Sequence, residues 1–164
     1  MPLGIYISVP FCRTKCSYCN FASDVFSRAV FERYVDRVCA DIGNAPEVAA
    51  EMGGQMEREV GSIYLGGGTP TVLEAGQLER IFRTVRSQFE VQPDAEVTVE
   101  SAPGTLTPAT VESLLRSGVN RVSLGVQSFV DQEAAAVGRL HTRAVLQEDV
   151  AGCEPRELRT STSI

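Results

Sequence analysis

The stretch Leu3-Gly4-Ile5-Tyr6-Ile7-Ser8-Val9-Pro10-Phe11-Cys12-Arg13-Thr14-Lys15-Cys16-Ser17-Tyr18-Cys19-Asn20-Phe21 joins an apolar, β-branched segment directly to a cluster of thiols. Leu3 to Val9 predicts a first strand, and Pro10, which has no N–H to give to a ladder, ends it. The thiols follow as C-x3-C-x2-C, three within eight residues. A cubane [4Fe–4S] cluster is held by cysteine thiolates, usually four, and such short spacings let one loop wrap it. Cys12, Cys16 and Cys19 would leave one iron without a protein ligand. An open position can take a small molecule, the logic that separates catalytic from closed metal sites. Arg13 and Lys15 put positive charge between the thiols, which favours thiolate.

Outward from this loop, strand and helix signals alternate. Phe31, Tyr34, Val35, Val38, Cys39 and Ile42 recur at helical spacing from Ala29 onward, and Gly43 to Gly54 reads as a surface connection with a further helical turn. Val60 to Leu65 is a second strand that runs into Gly66-Gly67-Gly68-Thr69-Pro70. Leu78, Ile81, Phe82 and Val85 repeat the helix signal, and Ala95 to Glu100 alternates like a half-buried strand. Thr107 and Pro108 supply a hydroxyl cap and a proline at the first helical position, Leu114 and Leu115 continue that helix, and Gly118 stops it. Val122 to Val126 is a fourth strand, and Asp131 to Val150 reads as helix. This order predicts an α/β fold with a parallel sheet and right-handed crossovers. The conspicuous residues cluster where such folds build their sites, at the carboxyl ends of strands.

Composition narrows the function classes. A formal charge of −6 and a pI near 4.9 argue against a phosphate-backbone binder, so nucleic acid is not an expected partner. No apolar run approaches the ~20 residues that span a bilayer, and Met1-Pro2 leads into a strand without the basic and apolar segments of a secretory signal. A cytoplasmic location is the expectation. Five cysteines, an odd number with three clustered, do not read as a secreted disulfide framework.

With these residues in view, the chain resembles the radical S-adenosylmethionine (SAM) superfamily, in which such a triad holds the cluster that reductively cleaves SAM to a 5′-deoxyadenosyl radical. Ile5 to Cys12, Gly66-Gly67-Gly68-Thr69-Pro70-Thr71 and Gly118 to Phe129 look like the oxygen-independent coproporphyrinogen III oxidase family, which includes the heme chaperones called HemW. The resemblance runs from about Leu3 to His141. It implies parallel (β/α) repeats forming part of a partial TIM-type barrel. Its cofactors would be the [4Fe–4S] cluster and SAM, with heme as a further candidate ligand. Heme or a porphyrinogen would be a partner, and so would an electron donor such as flavodoxin or ferredoxin. Oxidases of this family tend to carry a longer N-terminal segment and a cysteine two residues after the third ligand. Here that position is Phe21, as in the chaperone branch.

By the same resemblance Gly67, Gly68 and Thr69 contact SAM, Glu100 meets its methionine part, and Tyr6, Gln127 and Arg139 lie beside it. Each has a plainer alternative. The glycines can be a tight turn, Glu100 a solvated strand end, Gln127 and Arg139 surface residues, and Tyr6 a core ring. Ala102 stands where relatives tend to carry Asn or Asp. The rival for the thiols is a zinc site completed by Cys39 or His141. Cys39 otherwise reads as an inert thiol on an apolar helix face, and His141, the only histidine, as a surface group, with a heme ligand as the alternative. Cys153 has no assigned role.

The end of the chain departs from the pattern. Residues 1–150 read as an incomplete core, while Ala151 to Ile164 shows neither period, and Thr160-Ser161-Thr162-Ser163 predicts a disordered tail. The family would continue with a fifth strand carrying an Asp-Leu-Ile-like segment, the rest of the barrel and a C-terminal domain. The chain therefore reads as a truncated or frame-shifted product, weak as an enzyme. A non-catalytic cluster- or zinc-binding fragment is the alternative.

Overall fold

The computed structural model describes residues 1–23, 25, 27–154 and 158–163. Its strands are β1 (Leu3–Val9), β2 (Glu59–Gly67), β3 (Glu90–Ser101), β4 (Arg121–Gly125) and β5 (Arg159–Ser163). Between them lie α1 (Ala29–Glu51), α2 (Ala75–Gln88), α3 (Pro108–Arg116), α4 (Asp131–Ala136) and α5 (Arg143–Cys153). The sheet order is β1-β2-β3-β4-β5, and every neighbouring pair is parallel. Each strand is added beside the one before it, so crossovers of one hand place the helices on one side. This is the parallel sheet that the alternation of elements predicts, wound as in the barrel segment that the resemblance implies.

Alternation within the strands separates two faces. On β1, Ile7 and Val9 are buried while Gly4, Tyr6 and Ser8 are exposed. On β2 the parity changes after Val60, because the register steps from Leu3↔Val60 to Gly4↔Ser62 and leaves Gly61 as the extra residue. A one-residue slip moves side chains to the opposite face. Ile63 and Leu65 thereby join the core, and Ser62, Tyr64 and Gly66 join Tyr6 and Ser8 on the other face. The helix side is apolar: Phe31, Val35 and Ile42 of α1, and Leu78, Ile81, Phe82 and Val85 of α2, are all buried. Thr107 caps α3 as expected, its hydroxyl accepting from the Thr110 N–H at 3.1 Å, with Pro108 at the first helical position.

The structure corrects the sequence in four places. The expected connection after Gly43 is helix as far as Glu51, with Pro46 inside it. Ala45, Ala49, Ala50 and the neighbouring glutamates are good helix formers, and they outweigh one proline. Proline in a helix interior is about 3 kcal/mol less favourable than alanine. Pro46→Ala should then raise stability by about 2 kcal/mol once the freer unfolded chain is allowed for. The check is a higher thermal midpoint; a lower one would show that packing needs the proline.

The third strand starts at Glu90 rather than Ala95, because a shift between Val60↔Val91 and Ser62↔Glu96 absorbs Pro93 and Asp94 as a bulge. The single helix expected over Asp131 to Val150 is broken into α4 and α5. The Arg139 N–H donates back to the Ala134 carbonyl at 3.0 Å and Gly138 adopts φ +82°, a helix stop of the left-handed kind. Finally, Ala151–Cys153 belong to α5, and Arg159–Ser163 form a fifth strand parallel to β4 with Ser123↔Ser161 in register. The disorder expected of the tail is therefore not what its described residues show; residues 155–157 and 164 of that stretch lie outside them. β-branched Thr160 and Thr162 suit an edge strand, and backbone pairing to β4 needs no apolar period.

Candidate functional site

The cysteine loop leaves β1 through Phe11, whose buried ring lies 4.4 Å from Phe31 and 5.0 Å from Tyr34 of α1. Tyr34 donates its hydroxyl to the Ser8 carbonyl at 2.7 Å, and burial pushes its pKa up to about 12. The ladder between β1 and β2 continues past the strand ends. Gly68 N–H donates to the Val9 carbonyl at 2.7 Å, and Thr69 N–H to the Phe11 carbonyl at 2.6 Å.

The glycines have a defined purpose here. Gly67 has φ +111°, and a Cβ on it would meet Ser8 Oγ and the Val9 carbonyl at 2.9 Å. A Cβ on Gly68 would overlap the Phe11 carbonyl and reach Cys12 Sγ at 3.0 Å. Glycine permits close approach, and in this structure the end of β1 lies against Gly67 and the start of the cysteine loop against Gly68. The Gly68 and Thr69 N–H groups are committed to the Val9 and Phe11 carbonyls that flank the start of that loop.

Three further ties hold it. Arg13 Nη1 donates to the Gly104 carbonyl at 3.2 Å, and Ser17 N–H to the Val137 carbonyl at 3.4 Å. Lys15 Nζ donates to the carbonyls of Phe21 at 2.9 Å and Ser23 at 2.5 Å. Both cations between the thiols are thus also the loop's clamps.

Cys12, Cys16 and Cys19 line a cavity of about 400 Å³ together with Gly67, Gly68, Thr69, Glu100, Gln127 and Arg139. That volume lies within the usual range for small-molecule pockets. Tyr6 is the exception among the residues named from sequence. It is 57% exposed and outside the cavity lining, and it stacks on Tyr64 with ring centroids 5.9 Å apart. Tyr64 in turn donates to Glu100 Oε1 at 2.7 Å, while Gly67 N–H donates to Oε2 at 2.9 Å. The carboxylate is therefore fixed in orientation, with lone pairs left on both oxygens. Burial and then the bond to Glu100 push the Tyr64 pKa up to about 12, so it remains a donor.

Gln127 has φ +68°, alone among the described non-glycine residues in that region. Such backbone strain concentrates at ligand sites. Arg139 is delivered by the turn at Gly138; its Cζ lies 6.0 Å from the Tyr18 ring centroid. Asp149 of α5 accepts the Gly104 N–H at 2.6 Å and so fixes the turn after β3. Burial holds its pKa above the ordinary carboxylate value.

A cofactor would answer a deficit in this cavity. Ser23 Oγ, Arg139 Nε and His141 Nε2 are buried without hydrogen-bond partners, and all three residues line it. Buried polar groups in proteins are otherwise paired. The cavity also joins three soft thiol donors to polar groups, a donor set suited to an iron–sulfur cluster beside a polar ligand. Among the described residues no three His, Cys, Asp or Glu side chains, the three thiols included, are drawn together as on a single bound ion. Of the two fourth ligands considered for zinc, His141 lines the cavity and Cys39 does not. Cys39 instead receives the Thr84 hydroxyl at 3.3 Å, and Cys153 is wholly buried in the core.

The sequence reading does not single out Tyr64 or Ser23, and it takes His141 for a surface group unless it binds zinc or heme. Tyr64 was accessible in principle, since it shares the alternation of Ser62 and Gly66. His141 was hidden by the undetected break between α4 and α5.

The Radical SAM superfamily model matches residues 6–150. The chain is 38% identical to the heme chaperone HemW of Escherichia coli over 141 residues, covering 85% of this chain and 36% of that protein. It is 34% identical to the heme chaperone HemW of Lactococcus lactis over 149 residues, covering 91% and 37% respectively. The structure of the E. coli coproporphyrinogen III oxidase HemN, described as a radical SAM enzyme, superposes with a TM-score of 0.85 at 27% identity. That match covers 98% of this chain and 36% of the oxidase. The chain thus spans little more than a third of the length of these relatives.

Proposed function

The chain belongs to the radical SAM superfamily, and from that premise we propose that it binds one [4Fe–4S] cluster through Cys12, Cys16 and Cys19, with SAM beside it. The observation that carries this reading is that the three thiols, the fixed Glu100 carboxylate and three unpartnered buried polar atoms all line one cavity. When bound, a reduced cluster supplies the electron for reductive cleavage of SAM. Three protein thiolates leave one coordination position for that ligand.

The roles of the chain's own residues follow from their surroundings. Glu100, oriented by Tyr64 and Gly67, accepts from the SAM ammonium. Arg139 offers its guanidinium to the carboxylate, and Gln127 serves a ribose or carboxylate oxygen. Gly67, Gly68 and Thr69 form the wall between ligand and cysteine loop. Tyr6 acts at one remove, by packing Tyr64.

For the wider role, heme handling of the kind named for the HemW relatives is the favoured reading, supported by their identities and by Phe21. Heme would be the second ligand and a flavodoxin or ferredoxin the electron donor. Oxidative decarboxylation of coproporphyrinogen III is the second reading, supported by the HemN superposition. A thiol-bound cluster suits a reducing, cytoplasmic setting. Among the described residues no helix is long and apolar enough to cross a membrane.

The test is anaerobic reconstitution, reduction, and titration with SAM followed by the EPR signal of the cluster. The signal should change on SAM addition, and Glu100→Gln should weaken that response by roughly tenfold or more in SAM concentration, as expected for a hydrogen bond to a charged group. An unchanged wild-type signal would overturn SAM coordination. Heme titration followed by absorbance then separates the two wider readings.

A further inference from the structure

His141 is read from sequence as a surface residue, yet it is 8% exposed and lines the cavity. A ring nitrogen donates to the Val126 carbonyl, and because Nε2 is the nitrogen without a partner, that donor is Nδ1. Burial and then the Arg139 charge hold the pKa below its usual value, so the ring is neutral at pH 7 and Nε2 carries an acceptor lone pair. A buried acceptor without a donor is unfavourable. A bound ligand can supply the missing donor.

The position limits which part of the ligand that is. Glu100 is tied to Tyr64 and Gly67 on the β2–β3 side of the cavity. His141 is pinned at the exit of β4, to the residue next to Gln127. If Glu100 takes the ammonium and Arg139 the carboxylate, the hydrogen-bond donors left on SAM are the ribose hydroxyls and the adenine amino group.

Resting on the reading that SAM occupies this cavity, we propose that His141 Nε2 accepts a hydrogen bond from a neutral O–H or N–H of the nucleoside half of SAM, making His141 a specificity residue for an adenosine-bearing ligand.

Calorimetric titration of the reconstituted chain with SAM, 5′-deoxyadenosine and methionine, each separately, tests it. His141→Asn keeps an N–H near the Nδ1 position for Val126 and deletes the acceptor. It should weaken SAM and 5′-deoxyadenosine by on the order of tenfold, the scale of one hydrogen bond. Methionine affinity and the thermal midpoint should be unchanged. A second pair isolates the acceptor even if Asn impairs folding. His141→Gln and His141→Leu both lack the ring donor to Val126, but Gln offers Oε1 near the Nε2 position and should bind 5′-deoxyadenosine more tightly.

Equal affinities within that pair, or an Asn variant that binds SAM like the wild type, would overturn the role of His141 and leave SAM binding standing. A loss of equal size for methionine and 5′-deoxyadenosine would overturn it too. A wild-type chain that binds no SAM would overturn the functional reading and this inference with it.

Discussion

Reconstituted Cys12→Ala, Cys16→Ala and Cys19→Ala proteins are each expected to be almost colourless, with iron and sulfide falling from about four of each per chain toward zero. The three thiols line one cavity, and no fourth cysteine does. Loss of one ligand leaves two thiolates on a loop that remains clamped by Arg13, Lys15 and Ser17, so the backbone cannot readily shift to recruit another donor. Cys39→Ala is the control. Cys39 receives a hydrogen bond from Thr84 on the helical side and should be dispensable for loading. Should Cys39→Ala lose its iron as fully as Cys12→Ala, the three-ligand assignment would be wrong. A wild-type protein that stays colourless while retaining zinc would favour a mononuclear site instead.

Gly68→Val is expected to cost both fold stability and cluster loading. The new side chain would start in the volume held by the Phe11 carbonyl and Cys12 Sγ, and backbone cannot yield as a flexible side chain can. Overpacking of this kind costs about 1–3 kcal/mol, and more where backbone is the obstacle. The displaced atoms include Cys12 Sγ, the first of the proposed cluster ligands, so iron content should fall further than stability alone implies. Gly76→Ala, in α2 with nothing within 4 Å of its Cβ position, is the matched control and should be neutral or stabilising by up to about 1 kcal/mol. Thermal melts and iron assays on both variants decide the matter. Full loading and an unchanged midpoint in Gly68→Val would remove the glycine run from the architecture of the site.

Much of this was legible in the residues. The thiol spacing, the strand-to-glycine junction at Leu65-Gly66 and the Thr107-Pro108 cap are local signals, each satisfied within a few residues of chain. What escaped depended on long-range partners. The break at Gly138 looks like a tolerated helical glycine until Arg139 and His141 are seen to serve a cavity. The β5 strand has no apolar period because its pairing is to β4 backbone, which sequence does not display. Pro46 argued for a helix end, and the alanines around it overruled the local rule. Gly67 and Gly68 were singled out for ligand contact; the close neighbours that sequence did not display are Ser8 and Val9 at Gly67, and Phe11 and Cys12 at Gly68.

The sheet order β1-β2-β3-β4-β5 also bears on how the molecule is made. During synthesis each strand emerges after its only earlier neighbour, so no strand must wait beside a gap for a later one to fill it. Slow, non-local pairing is thereby avoided in a parallel sheet, where it is usually the kinetic difficulty. Once β2 and Gly68-Thr69 have left the ribosome, the thiol loop has its first seat. Its ties to Gly104 and Val137 come only as later units arrive. The nascent chain therefore presents its three cysteines half-anchored and open before the cavity around them is closed, which is the interval in which a cluster can be delivered with least obstruction.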